Sequence, residues 1–315
     1  MPPLSLFDHC LILTGPTGSG KSSLAVTLAE RFGGEIISMD SMALYRGMDI
    51  GTAKPGEDVL MRVPHHLVNV LNPWEGASVA WWLAEAARAV EQIVQRGRLP
   101  IIVGGTPLYL KALVCGLFQG PLVEASLRAK LEAQTTAELH SQLLEVDPSS
   151  AERIHRNDHK RLVRAMEVFL QTGRPLSTLQ QQFDMSPRQR PFPILCIDRP
   201  RTELYDRINH RVDEMVAEGW VTEVKSLLEL PYPLSREAAQ AAGYAELISH
   251  IRGERSLASA VDAIKTRTRQ LAKRQLTWFR HFPGIQMASP QDAEAKAHHY
   301  ISSITPAIGS AGSPL

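Results

Sequence analysis

The feature that most constrains this chain is one short run, Gly15-Pro16-Thr17-Gly18-Ser19-Gly20-Lys21-Ser22. It follows an apolar stretch, precedes a helix-forming one, and matches the phosphate-loop pattern G-x-x-x-x-G-K-[ST]. Glycines let successive backbone N–H groups turn toward one anion, and the following helix N-terminus adds positive potential. Lys21 contributes a point charge, and the Ser22 hydroxyl can hold Mg²⁺. The run therefore commits the chain to a strand–loop–helix unit that binds a di- or triphosphate with magnesium. Whether that phosphate belongs to a nucleotide is left open.

The rest of the pattern extends this unit into a sheet. Residues 10–14 read as a buried strand, 22–32 as a helix, and 35–39 as a second strand ending at Asp40. A helix over 79–96 leads to a third strand over 99–103, which runs into Gly104-Gly105-Thr106. Alternation of this kind predicts a parallel sheet with helices on its faces. Functional groups in such sheets lie beyond the carboxyl ends of the strands, so Asp40 and Thr106 fall on the rim of the glycine loop.

From 121 to 190 only helical spacing is seen, as in Leu139, Leu143 and Leu144, or Leu162, Ala165, Met166 and Phe169. A strand over 192–197 then ends at Asp198, and helices are expected over 202–218, 221–230, 238–251 and 256–279. The predicted fold is α/β: a P-loop parallel-sheet core (8–120 and 191–285), a helical insertion domain (121–190) and a helical C-terminal part. Residues 286–315 read as a tail, partly disordered because its end is small and polar.

With 315 residues, 44% hydrophobic and 21% charged, the chain has the make-up of a globular enzyme. Its formal net charge of +1 means that any nucleic-acid contact must come from local basic patches. Cys10, Cys115 and Cys196 sit in apolar surroundings without paired spacing, as expected in a reducing compartment. No signal-peptide pattern or apolar run of the ~20 residues needed to span a bilayer is present, so a cytoplasmic location is expected. The pairs His65-His66 and His298-His299 point adjacent rings apart, which disfavours a metal site.

An ordinary P-loop NTPase needs a strand that ends in a magnesium-orienting Asp. Here the third strand ends in Gly104-Gly105-Thr106, and Asp198 is followed by Arg199-Pro200. Asp40 instead resembles a base facing a substrate. On these residues the chain is a small-molecule or nucleoside kinase, an NTP-dependent RNA-binding protein, or a transferase that uses the loop for a leaving group.

Four longer motifs favour the last class. DSMALYRGMDIGTAKP (40–55), HHLVNVLNP (65–73), GGTPLYLKAL (104–113) and AKRQLTWFR (272–280) resemble the tRNA dimethylallyltransferases, also called tRNA isopentenyltransferases. The similarity runs from the loop to Phe282. It implies transfer of a dimethylallyl group from dimethylallyl diphosphate to N6 of the adenosine immediately 3′ of the anticodon, in tRNAs reading codons that begin with U. The loop would then hold a diphosphate leaving group, stabilised by backbone N–H groups, Lys21 and Mg²⁺ at Ser22.

Asp40 is the candidate general base, with a helix N-cap as its alternative. By resemblance Thr106 contacts the adenine or the diphosphate; as an isolated residue it would equally cap the helix before Pro107. The resemblance also places Thr17 against the prenyl substrate. Arg207 and Arg211 share one helix face, and it makes one of them a diphosphate partner, without a choice between them.

For RNA, the C-terminal helix carries Lys265, Arg267, Arg269, Lys273, Arg274 and Arg280 with no intervening acid. The insertion adds Arg156, Lys160, Arg161 and Arg164. By resemblance the tRNA-contacting positions are Asp40, Ser41, Met42, Ala43, Thr106, Arg128, Lys160, Arg161, Leu162, Val163, Arg164, Gly243, Tyr244, Lys273 and Arg274. The anticodon stem-loop would present a flipped base, framed by 40–43 and 241–246, although from the sequence alone Gly243-Tyr244 reads first as a helix break with a packing aromatic. The chain departs from the family in Gly18, where Ala is common, Lys160, where Gln is usual, and Asn69 and Asn72, where Asp is common. No feature demands more than a monomer.

Overall fold

A computed structural model describes residues 3–118, 120–121, 124–180 and 194–309, the side chains of 303–309 excepted. The chain divides into two compact units, one of Met1–Val114 with Arg188–Leu315 and one of Cys115–Pro187.

The larger unit opens with a 3-10 turn, Leu4–His9, then β1 (Leu11–Thr14), α1 (Lys21–Phe32), β2 (Gly34–Ser38), α2 (Glu57–Arg62), β3 (His65–His66), α3 (Val79–Gln95), β4 (Leu99–Gly104) and α4 (Pro107–Cys115). The smaller unit follows, with α5 (Ala125–Glu132), α6 (Thr136–Val146), α7 (Pro148–Arg153), α8 (His159–Thr172) and α9 (Leu176–Leu179). The chain then returns with β5 (Ile194–Ile197), α10 (Arg201–Ala217), α11 (Trp220–Leu228), α12 (Arg236–Ala239), α13 (Tyr244–Ile251), α14 (Leu257–His281), β6 (Ile285–Ala288) and α15 (Pro290–Gly309).

Among the described residues the strands form one sheet in the order β3-β2-β4-β1-β5-β6, every pairing parallel. Strands β1, β2, β4 and β5 are buried at every position, which explains why they read as apolar runs rather than alternations. Ala25, Leu28 and Ala29 of α1 pack on Leu11, Leu13, Ile101 and Val103. Each Leu or Ile so buried contributes about 1.5–3 kcal/mol relative to exposure. Because β1 lies between β4 and β5, the loop leaving β1 sits between Gly104-Gly105-Thr106 and Asp198.

Three expectations are corrected. Residues 286–315 are not simply a tail: β6 pairs with β5 in register, and Ala297 and Ile301 of α15 join the α1 core cluster. Helical spacing of Ala293, Ala297 and Ile301 supplies that buried stripe. The helix expected over 238–251 is two, α12 and α13, broken at Gly243, whose φ of 92° caps α13. The smaller unit begins at Cys115 rather than 121. Of the strand expected over 192–197, residues 192 and 193 lie outside the described residues.

Inside the smaller unit, Leu139 and Leu143 of α6 pack with Leu162, Val163, Ala165 and Met166 of α8. Thr135 and Glu138 form a capping box at the start of α6, which satisfies two donors there. Gly173 closes α8 with φ of 67°.

Candidate active site

Three glycines shape the loop 15–20. Gly15, Gly18 and Gly20 have φ of 146°, 80° and 93°. A Cβ on Gly15 would lie 2.9 Å from the Ile197 carbonyl oxygen, so the loop presses directly on the end of β5. Gly20 caps α1 in the left-handed region and, having no side chain, makes no cap bond to the first N–H groups of that helix. These are the donors a helix leaves unsatisfied, and they suit an anion. Lys21 Nζ donates to the Pro16 carbonyl at 3.3 Å, folding back over the loop. Ser19 Oγ is buried without a hydrogen-bond partner among the described residues.

Two arginines hold the loop from its outer side. Arg199 Nε donates to the Ser19 carbonyl at 2.7 Å, and Arg207 Nε to the Gly18 carbonyl at 2.9 Å. Of the loop's own N–H groups, that of Thr17 goes to Gln275 and that of Ser19 to the Pro16 carbonyl, so an anion is left those of the other loop residues and of the first turn of α1. Arg199 also pairs with Glu203.

A cavity of about 700 Å³ adjoins the loop. Thr17, Lys21, Ser22, Asp40, Thr106 and Arg211 all line it, with Ser41, Met42, Ala43 and Tyr244 further along its wall. Of the two arginines left open by the sequence, Arg211 faces the cavity, whereas Arg207 is spent on Gly18. Arg211 makes no ion pair among the described residues. Burial lowers its pKa, and the charge of Asp40 opposes that shift.

Burial likewise pulls Lys21 down to about 8, against the favourable charge of Asp40 and with Arg211 adding to the depression. Cys196, on the neighbouring strand, is pushed by burial up to about 12 and is inert as a nucleophile at neutral pH.

Asp40 stands two residues beyond β2. Its Oδ1 accepts the Met42 backbone N–H at 2.8 Å in a tight turn; no helix starts there, so Asp40 is not a helix N-cap. Its other oxygen has no hydrogen-bond partner among the described residues, and Asp40 lines the cavity. Ahead of it, Trp82 Nε1 donates to the Ser38 carbonyl at 3.0 Å while its ring stacks on Tyr109 at 4.3 Å. Thr106 precedes α4, and its hydroxyl accepts the Ser41 N–H at 3.2 Å. The turn after β2 and the loop after β4 are thereby joined.

Three site residues escaped the sequence reading. Gln275 of α14 accepts the Thr17 N–H at 2.9 Å and donates to the Gly105 carbonyl at 2.7 Å. Glu223 of α11 accepts backbone N–H groups of Asp49 and Ile50 at 2.8 and 2.7 Å and the Tyr244 hydroxyl at 2.7 Å, fixing a wall segment. Lys54 reaches the Tyr45 carbonyl, Asp49 and Asn69, and burial lowers its pKa. Apart from the Asp49–Lys54 pair, each partner is remote in sequence or is backbone, so no local pattern marks these residues.

The basic residues need more correction. Lys265 pairs with Asp213, Arg267 with Glu246 and Arg280 with Asp198, while Arg269 donates to Asn209. The acids missing between Lys265 and Arg280 come from other elements. Lys273 and Arg274 are exposed and carry no ion pair among the described residues.

Within the smaller unit, Arg128 and Arg164 both clamp Glu167, which is 0% exposed. Leu162 and Val163 are core, because helical rotation turns them away from exposed Lys160 and Arg161. Gly243 and Tyr244 follow the packing reading: Tyr244 is buried edge-on against Trp220 at 5.6 Å, although it touches the cavity.

Comparison with known proteins gives a consistent result. The IPP transferase family model matches residues 43–282. The tRNA dimethylallyltransferase of Geobacter sulfurreducens is 46% identical over 280 residues, 88% of this chain and 90% of that one. That of Geobacter metallireducens is 48% identical over 274 residues, covering 86% and 89%. Among solved structures, the tRNA isopentenylpyrophosphate transferase of Bacillus halodurans superposes with a TM-score of 0.68 at 35% identity, covering 96% of this chain and 98% of that one. A eukaryotic dimethylallyltransferase acting on tRNA gives a TM-score of 0.75 at 27% identity, covering 96% and 79%.

Proposed function

The chain belongs to the tRNA dimethylallyltransferase family, and from that premise we propose how its cavity transfers a prenyl group to tRNA. The donor is dimethylallyl diphosphate, with its diphosphate in the loop 15–22. The acceptor is N6 of the adenosine immediately 3′ of the anticodon, in tRNAs reading UNN codons. The observation that carries this reading is the convergence of Lys21, Ser22, Arg211, Asp40 and Thr106 on one cavity.

The allylic C–O bond breaks with its electron pair passing to the diphosphate. Loop N–H groups, Lys21 and Arg211 stabilise the charge that develops there. The N6 lone pair, delocalised into the ring, forms the new N–C bond as Asp40 accepts an N6 hydrogen. Apolar groups such as Val103, Ile208 and Leu271 in the wall keep water from the allyl cation.

Ser22, whose hydroxyl opens α1 and which lines the cavity, would hold magnesium there. When bound, it would offset charge on the leaving diphosphate.

Lys273 and Arg274 on α14, and Lys160 and Arg161 on α8, are the proposed phosphate contacts for the anticodon stem-loop. The transfer needs no second subunit, and we read the enzyme as a cytoplasmic monomer. The competing use of the loop is as an ATP site for a kinase. Incubation with radiolabelled dimethylallyl diphosphate and unmodified tRNA tests the reading: label enters RNA if it is right, and ATP turnover without labelled RNA would replace it.

A further inference from the structure

We propose that Gln275 is a positioning residue that sets the register between the diphosphate loop and the Thr106 loop. The proposal rests on the donor assignment just made. Gln275 is 8% exposed, lines the cavity, and bonds to both loops with one amide group.

The chemistry of the contact is demanding. Thr17 presents an N–H and Gly105 a carbonyl, so the bridging group must accept on one side and donate on the other. A planar primary amide does both; a carboxylate only accepts, an ammonium only donates, and an aliphatic chain does neither. The surroundings are shaped around this side chain. A Cβ on Gly105 would lie 2.7 Å from Gln275 Nε2 and 3.0 Å from the Gly15 carbonyl oxygen. Glycine at 105 is therefore what lets the amide reach and the two loops approach. Part of the Gly104-Gly105 signal, which lacks a metal-binding carboxylate, is explained by this bridge.

The bridge also reaches the acceptor side. Thr106 follows Gly105 directly, and its hydroxyl holds the Ser41 N–H beside Asp40. A continuous set of bonds thus runs from Thr17 through Gln275 and Gly105 to Thr106 and Asp40. Donor carbon and acceptor nitrogen must meet at about 3–3.5 Å, and a misplacement of about 1 Å costs on the order of 10²-fold in rate. Gln275 touches neither reactant in this scheme; it acts through the two loops that do.

The test compares full-length Q275E and Q275L with the unaltered enzyme, using dimethylallyl diphosphate and unmodified tRNA. Melting temperature, tRNA Kd, kcat and the KM for the diphosphate are read separately. Q275E keeps the Thr17 bond, turns an acceptor toward the Gly105 carbonyl and adds negative charge beside the loop. It should raise the diphosphate KM about 10-fold and lower kcat about 10-fold or more, with tRNA Kd within about 2-fold. Q275L should lower kcat similarly with a smaller change in KM. Folded variants with kcat and KM both within about 2-fold of the unaltered enzyme would overturn the proposal. So would failure of both variants to fold, which would assign Gln275 to stability alone. Absence of prenyl transfer by the unaltered enzyme would instead sink the donor assignment.

Discussion

The Thr106 hydroxyl accepts the backbone N–H of Ser41 at 3.2 Å, tying the end of β4 to the turn that carries Asp40. One neutral hydrogen bond of this kind contributes about 0.5–1.5 kcal/mol, and here it orients the residue proposed to take a proton. Thr106→Val keeps the shape and removes the acceptor. It should lower kcat about 10-fold with little change in melting temperature, whereas Thr106→Ser should retain most activity. Steady-state rates at saturating substrates check both.

Asp40→Asn preserves the oxygen that accepts the Met42 N–H, so the turn should survive. The basicity is lost, together with the negative charge beside Lys21 and Arg211. Single-turnover prenylation should slow by ~10²-fold or more, with tRNA affinity unchanged. Near-normal turnover in a folded variant would remove Asp40 from the mechanism.

Lys21, with a pKa of about 8 before substrate binds, loses its charge as pH rises through that value. The diphosphate attracts the protonated form, so kcat/KM for dimethylallyl diphosphate should fall above about pH 8. Stability should respond in the opposite sense. The unfolded chain holds this proton up to about 10.5, so between about 8 and 10.5 the unfolded state binds more protons and the Lys21 contribution to stability rises with pH. A pH series of kcat/KM beside melting curves for the unaltered enzyme and Lys21→Met reads both effects.

Arg211→Ala removes a cation from the cavity wall, and Arg207→Ala removes a strut from the back of the loop. Charged hydrogen bonds contribute about 1.5–3 kcal/mol. Arg211→Ala should therefore raise the diphosphate KM about 10- to 100-fold, and Arg207→Ala should do so less. Equal effects on KM would contradict the division of roles between them.

The slope of log Kd for tRNA against log salt counts released counterions. Replacing Lys273 and Arg274 together by Ala should reduce it by about 1–2. Lys265→Ala should leave the slope unchanged, because Asp213 already neutralises that ammonium.

Much of this site was legible because the loop motif is contiguous. Gly15 through Ser22 announces its own geometry, and Asp40 and Thr106 follow from where parallel strands end. Gln275 was invisible for the opposite reason: Thr17 lies 258 residues away, and its contribution is a backbone N–H that no side-chain pattern marks. The basic run of α14 misled because Asp213, Glu246 and Asp198 approach from other elements. Strand β3 spans two histidines, and β6 has a mixed burial pattern, so neither has a period to detect. Leu162 and Val163 sit in the expected RNA-contacting run, yet their helical phase sends them inward.

If the loop 15–22 releases a diphosphate as an alkyl group moves to adenine, pyrophosphate release measured alongside nucleoside analysis of the tRNA should show it. One pyrophosphate should form per N6-prenylated adenosine next to the anticodon. Pyrophosphate without alkylated adenosine, or phosphate transferred from ATP at the same pocket, would contradict it.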